Sequence, residues 1–252
     1  MLEFNRLYLM DCMEGMKQFP DKYFELGIVD PPYGINAPNM NMCSSRNRSG
    51  RDKNGKKQYP GVSTAEKLRK GRLNAGAGKL KNRVLNTTMS CDWDFERPSP
   101  EYFEELFRVT QNQIIFGGNY FDLPPTRGIG CWDKLQPWEN FSQWEMIWTS
   151  FDCPAFIIRH SNTGGANAET KIHPCQKSVP VYGKLLAKFG KPGYKILDTH
   201  AGSASSLVAA HRGGYSFIGF EIGESYWRDA NARLEAERKQ FSLFDLIPGG
   251  QG

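Results

Sequence analysis

The stretch KILDTHAGSASSLVAAHRGGYSFIGFEI, residues 195–222, decides the architecture. It opens with a short apolar run, Lys195 to Asp198, that ends in an acid. A loop of small residues follows, then an amphipathic segment from Ser205 to Arg212, then a second apolar run from Ser216 to Ile222. Short apolar runs bounded by glycine suit strands covered on both faces. Three further runs read the same way: Phe24 to Asp30 (FELGIVD), Gln113 to Phe116 before Gly117-Gly118, and Glu145 to Thr149. All five are expected to be buried parallel strands.

Helical patterns lie between them. Asp11-Cys12-Met13-Glu14 has the form of a capping box, so a helix is expected to start at Asp11. Ser99-Pro100 before Glu101 to Thr110 is an N-cap followed by a first-turn proline. Val179 to Phe189, Ser205 to Arg212 and Glu224 to Gln240 complete the set. Strands alternating with helices predict an α/β fold with a doubly wound, mostly parallel sheet. Residues 1–252 read as one domain. The stretch 36–90 is a basic insertion, 123–160 a target-recognition region rich in proline and aromatics, and 240–252 a flexible tail.

Composition agrees. Of 252 residues, 39% are hydrophobic and 23% charged, which suits a soluble globular chain. No run of about 18 apolar residues is present, so no transmembrane helix and no membrane partner are expected. Met1 to Met13 lacks the form of a signal peptide. Six scattered cysteines without a Cys-x-x-Cys pair read as free thiols of a reducing cytoplasm, with no metal site. The net charge of +5 is unevenly spread. Between Ser44 and Arg83 there are 13 lysines and arginines against two acids, a net +11, which leaves −6 on the rest. A local basic block suggests a polyanion partner.

Two loops carry the chemistry. Asp30-Pro31-Pro32-Tyr33 follows a strand directly, and ligands bind at the carboxyl ends of strands in open α/β sheets. An aromatic amine is a poor nucleophile because its lone pair is delocalised into the ring. The Asp30 carboxylate and the Pro31 carbonyl, held by the fixed φ of the prolines, can accept its two N–H groups and free that pair. Tyr33 offers a ring for a planar base. The second loop is Asp198-Thr199-His200-Ala201-Gly202-Ser203-Ala204-Ser205, whose small residues allow close backbone approach. Glu221, at the end of the next strand, suits the two hydroxyls of a ribose. A carboxylate plus a ribose matches the two ends of S-adenosylmethionine.

These residues resemble the DNA amino-methyltransferases that modify N6 of adenine or N4 of cytosine. Asp30 to Tyr33 looks like the family's catalytic tetrapeptide. Asp198 to Ser205, followed by Phe217 to Ile222, looks like its cofactor loop and ribose-binding acid. His173-Pro174-Cys175-Gln176-Lys177 resembles its His-Pro-Thr-Gln-Lys segment, and Asp11-Cys12 its adenine-contacting Gly-Asp-Cys segment. Gly117 to Tyr120 and Trp132 to Lys134 are similar to prophage members. The catalytic motif precedes the cofactor loop, the permuted order of the beta group, which includes many phage enzymes. The resemblance therefore implies a Rossmann-like S-adenosylmethionine-dependent fold. It implies catalytic Asp30, Pro31, Pro32 and Tyr33. It implies cofactor contacts from Asp11, Cys12, Lys177, Asp198, His200, Ala201, Gly202, Ser203, Ala204, Ser205, Glu221 and Ile222. The family's loop reads Asp-Pro-Phe-x-Gly-Ser-Gly-Thr. Here Thr199, His200, Ala204 and Ser205 replace proline, phenylalanine, glycine and threonine, and Ala204 would crowd the loop if its φ is positive.

Direct methyl transfer to a flipped-out base is the implied reaction, with no covalent nucleophile. Asp30 favours adenine; N4-cytosine methylation is the alternative, and a DNA-binding chain without catalysis or an RNA substrate are the others. Cytosine-C5 chemistry needs an attacking cysteine, and Pro174-Cys175-Gln176 lies upstream of the cofactor loop with no Glu-Asn-Val partner. Double-stranded DNA is expected to lie on Arg46, Arg48, Arg51, Lys53, Lys56, Lys57, Arg69, Lys70, Arg72, Lys79, Lys81 and Arg83, contacting phosphate rather than bases. Gln240 to Phe244 is similar to a sliding-clamp docking peptide. Monomer and homodimer, and pairing with a restriction enzyme, are left open.

Overall fold

The computed structural model describes residues 2–35, 94–136, 142–161, 171–173 and 175–245, the last five as backbone only. The basic residues from Arg46 to Arg83 lie outside it, as do 137–141 and 246–252.

One sheet of eight strands runs through the described chain: β1 (Arg6–Leu9), β2 (Phe24–Val29), β3 (Thr110–Phe116), β4 (Ile129–Asp133), β5 (Trp144–Thr149), β6 (Phe156–Arg159), β7 (Lys195–Asp198) and β8 (Ser216–Glu221). Their order is β1-β8-β7-β2-β3-β5-β4-β6. Five helices flank it: α1 (Cys12–Met16), α2 (Pro100–Val109), α3 (Val179–Phe189), α4 (Ser205–Arg212) and α5 (Glu224–Asp245).

The helices divide between the two faces because successive strand residues point opposite ways. Ile114 and Phe116 of β3 pack with Val181 and Leu185 of α3, Leu207 of α4 and Ala230 of α5. Ile115 of β3 joins Met16 of α1, Leu106 of α2 and Phe220 on the other face. That is the doubly wound arrangement, with polar α5 contributing Ala230 and Leu234 as its buried stripe.

All five expected strands are present, but β5 is not parallel. It pairs antiparallel with both β3 and β4. Hydrophobic runs carry no direction. The connection from β4 sets it: Lys134 N donates to Gln143 O at 2.9 Å, closing a hairpin-like link too short for a parallel crossover. Within the stretch 123–160, β4, β5 and β6 extend the main sheet. Strands β1, β4 and β6 were not visible as apolar runs, since each leaves residues exposed. At the other end, α5 continues through Gln240 to Asp245 as helix rather than as a tail. No described helix is long and apolar enough to cross a membrane.

Candidate active site

Strand β2 ends at Val29, and the chain leaves the sheet through Asp30, Pro31, Pro32 and Tyr33. Asp94 fixes this exit: its Oδ1 accepts from Tyr33 N at 2.6 Å and from Gly34 N at 3.0 Å. Tyr33 then folds back, and its hydroxyl donates to Asp30 Oδ1 at 2.7 Å. Its ring stacks on Tyr120, with centroids 4.8 Å apart and planes 14° off parallel. Gly117, at φ +68°, lets the ring close in, because a Cβ there would stand 2.3 Å from it. Tyr120 therefore covers one of the two faces of the Tyr33 ring.

Lys177 is the largest departure from expectation. Its ammonium does not reach toward the cofactor loop. It is hydrogen-bonded to Asp30 Oδ2, lies 3.2 Å from the Tyr33 hydroxyl and 3.3 Å from Glu145 Oε2. Glu145 Oε1 in turn holds Lys134 at 2.6 Å. Two carboxylates and two ammonium groups make a linear, largely buried network without net charge, Asp30–Lys177–Glu145–Lys134. Burial opposes the charge on Lys177, but Asp30 and Glu145 outweigh it and hold its pKa above the ordinary lysine value. Burial also pushes Glu145 up, yet its two lysines prevail and its pKa is lowered. At Asp30 burial wins, with Glu145 adding, and its pKa is raised. Burial and both carboxylates raise Tyr33 well above the phenol range, so it stays a donor.

The second loop lies beyond β7. Asp198 Oδ1 accepts from His200 N at 3.0 Å, and Oδ2 accepts from the Ser206 hydroxyl. Burial raises the Asp198 pKa to about 7. Gly202 and Ala204 both take the left-handed conformation, at φ +52° and +58°. The residue flagged as crowded thus does sit at positive φ, where a side chain costs about 1–2 kcal/mol. Arg233 of α5 pins the loop through Ser203 O at 2.8 Å and Ser205 Oγ at 2.9 Å. Glu221, at the end of β8, accepts from Gly202 N at 2.9 Å and Gly223 N at 2.7 Å. A carboxylate has about four lone-pair sites, so Glu221 keeps some acceptor capacity beside its backbone donors. Beside it Ile222 is 70% exposed, an apolar ledge for a ring.

Both loops open into one cleft of about 1230 Å³. Asp30, Pro31, Pro32 and Tyr33 line one part; Asp11, Lys177, His200, Ala201, Gly202, Ser203, Glu221 and Ile222 also reach it. Cys12, Asp198, Ala204 and Ser205 are not among its lining residues. Asp11 caps α1, its Oδ1 accepting from Met13 N at 2.8 Å. Burial lowers His173 to about 3 and His200 to about 4, so both imidazoles are neutral. Burial, with Asp11 adding, pushes the Cys12 thiol up to about 12, and burial does the same to Cys175. Neither is a thiolate nucleophile at neutral pH. Tyr120 and Lys134 entered the sequence reading as parts of prophage-like segments and Glu145 as part of a strand, while Asp94 and Arg233 were not singled out in it. Their partners lie tens of residues away, and only the fold brings them together.

The mostly parallel eight-stranded sheet with helices on both faces is the Rossmann-like fold of S-adenosylmethionine-dependent methyltransferases. Within it, the chain belongs to the N6-adenine/N4-cytosine DNA methylase family: the family model, described as DNA methylase, matches residues 53–232. That match starts after Tyr33, so the tetrapeptide stands on its own geometry. The putative methylase YubD of Escherichia coli (strain K12) is 39% identical over 67 residues, 27% of this chain and 30% of that protein. The type II methyltransferase M2.DpnII of Streptococcus pneumoniae is 25% identical over 157 residues, 62% of this chain and 53% of that one. The matches thus span about half or less of these relatives' lengths. The PvuII DNA methyltransferase (cytosine-N4-specific) has a similar fold, with a TM-score of 0.50 and 12% identity over 95% of this chain and 90% of that one.

Proposed function

We propose that this chain is an S-adenosylmethionine-dependent DNA methyltransferase acting on N6 of adenine. The observation that carries the reading is that Asp30 and Glu221, at the ends of β2 and β8, open onto one cleft. At about 1230 Å³ it exceeds the roughly 300–1,000 Å³ of a single-ligand pocket. It has room for a cofactor and a base together.

The residues fit the cofactor. Glu221 keeps acceptor capacity for ribose hydroxyls, and Ile222 offers an apolar ledge for adenine. Neutral His173 and His200 avoid repelling a cationic centre. Bound S-adenosylmethionine supplies a methyl carbon whose leaving group is a neutral thioether. The chain's own part is to prepare the nitrogen. Asp30 and the Pro31 carbonyl accept the two amino hydrogens and turn the lone pair toward the donor. On taking the methyl group, with the cofactor leaving as its neutral thioether, the nitrogen would shed a proton. Asp30, whose pKa is raised, is the acceptor at hand. Positioning and electrostatics account for such a reaction without a covalent enzyme intermediate.

DNA is the substrate this reading assigns, held by the basic block 44–83, which lies outside the described residues. Deleting that block is expected to abolish duplex binding and spare cofactor binding; intact duplex affinity would refute the assignment. The same two acceptors serve N4 of cytosine. Transfer of labelled methyl from S-adenosylmethionine to duplex DNA, with the product digested to nucleosides, separates N6-methyladenine from N4-methylcytosine. No transfer to DNA by folded, cofactor-binding protein would overturn the function.

A further inference from the structure

Asp30 faces a difficulty that the proposed reaction must resolve, and Glu145 resolves it. Both Asp30 oxygens are covered, Oδ1 by the Tyr33 hydroxyl and Oδ2 by the Lys177 ammonium. A cation fixed on Asp30 also opposes methyl transfer, because positive charge develops on the nitrogen held there. Removing Lys177 from Asp30 without another partner would leave a buried charge unpaired, which is prohibitive.

Each group that covers Asp30 has a second acceptor within reach, and in both cases it is Glu145 Oε2. Lys177 Nζ stands 3.3 Å from it and the Tyr33 hydroxyl 3.5 Å. Lys134 holds the other oxygen, Oε1, at 2.6 Å, which fixes the carboxylate in place. Glu145 sits on β5, the reversed strand, in register opposite Trp132, while Lys134 follows β4. The side chains of Lys134, Lys177 and Glu145 are only 10%, 5% and 20% exposed, so bulk water does not substitute for this pairing.

We propose that Glu145 is a positioning residue for Asp30: it gives Lys177 a second seat, so that Asp30 exchanges the lysine for the substrate's amino hydrogens while every buried charge stays paired. This rests on the reading of Asp30 as the amine acceptor. The ammonium already stands 3.3 Å from its second seat, and the four charges remain balanced throughout. Other titratable groups near the pair are Tyr182, Cys175 and His173, and Asp198, which feels the charge of Asp30 and, raised to about 7, is followed separately through Asp198→Asn. Tyr182, Cys175 and His173 carry no charge at neutral pH, so Glu145 is the anion that shares Lys177 with Asp30.

The test compares Glu145→Gln and Glu145→Asp with wild type in two measurements. The first is steady-state methylation of duplex DNA across pH, with calorimetric cofactor binding alongside. Glu145→Gln is expected to lower kcat about a hundredfold, the effect of misplacing a reacting group, with cofactor affinity unchanged. Its acid limb is expected to move to lower pH, because a like charge beside Asp30 is gone. Glu145→Asp is expected to recover much of the rate. The second is a carbon-13 NMR titration of the Asp30 carboxyl, which needs no catalysis; Glu145→Gln is expected to lower the pKa it reports. An unmoved Asp30 titration overturns the proposal, as does wild-type kcat in Glu145→Gln. Equal losses of stability, cofactor binding and rate in both variants would make Glu145 merely structural and also overturn it. A wild-type protein inactive on all DNA refutes the functional reading, while the titration still decides this one.

Discussion

Replacing Lys177 by methionine tests the buried network by its energetics alone. The ammonium is within hydrogen-bond reach of Asp30, Glu145 and Tyr33, and it packs 4.8 Å from the Phe116 ring centre. Methionine keeps the packing and removes the charge. Glu145 then keeps Lys134, and Asp30 is left without its cation. Breaking a buried pair by deleting one partner costs about 3–5 kcal/mol. For a chain of this length each kcal/mol moves the melting temperature by about 2–4 °C, so a drop of roughly 6–20 °C is expected. The pH dependence carries a sign. In the variant the orphaned Asp30 carboxyl has a folded pKa above its unfolded one. Its contribution is then favourable below the unfolded pKa, near 4, and is lost as pH rises through the folded value. The penalty is therefore larger at pH 8 than at pH 5. Thermal unfolding followed by circular dichroism at both values measures it. A penalty below about 1 kcal/mol, or one that grows toward acid, would refute the idea that Lys177 neutralises a buried pair.

Three further outcomes follow from single residues. Asp198 is raised from 3.8 to about 7, so its contribution to stability is full below pH 4 and is lost as pH rises through 7; Asp198→Asn should flatten that part of a urea-midpoint profile, and an unchanged profile would place the titration elsewhere. Gly117→Ala meets the Tyr33 ring at 2.3 Å and adds about 1–2 kcal/mol of backbone strain. It should lower methylation while leaving cofactor affinity intact, and loss of both together in binding assays would contradict the separation of the two ends of the cleft. Glu221→Gln removes a charged acceptor worth about 1.5–3 kcal/mol, so calorimetry should find S-adenosylmethionine bound roughly ten- to 150-fold more weakly. Unchanged affinity would remove Glu221 from the ribose site.

Much of the fold was legible because its core strands are unbroken apolar runs. Lys195 to Asp198 and Ser216 to Glu221 were readable almost to the residue, as were α3 and α4, whose proline and glycine borders mark them. Strands β1, β4 and β6 were hidden because each exposes part of its length, and periodicity could not reveal that β5 runs backwards. The two loops at the site were legible as chemistry: an acid and rigid prolines after β2, small residues and an acid around β7 and β8. A positive φ at Ala204 was posed only as a condition by a glycine-to-alanine difference, and the backbone there has φ +58°. The partner of Asp30 was not anticipated. Lys177 was read as a cofactor contact from its motif, and Glu145 as part of a strand. A charge network is a property of distances, and Asp30, Lys134, Glu145 and Lys177 stand on four separate stretches of chain.

The most direct test is mass spectrometry of nucleosides from genomic DNA of a methylation-deficient host expressing the wild-type chain or Asp30→Ala. N6-methyladenine appearing with wild type and not with Asp30→Ala is the expected result. N4-methylcytosine in its place would contradict the choice of base, and no modified base from soluble wild-type protein would contradict the proposed activity.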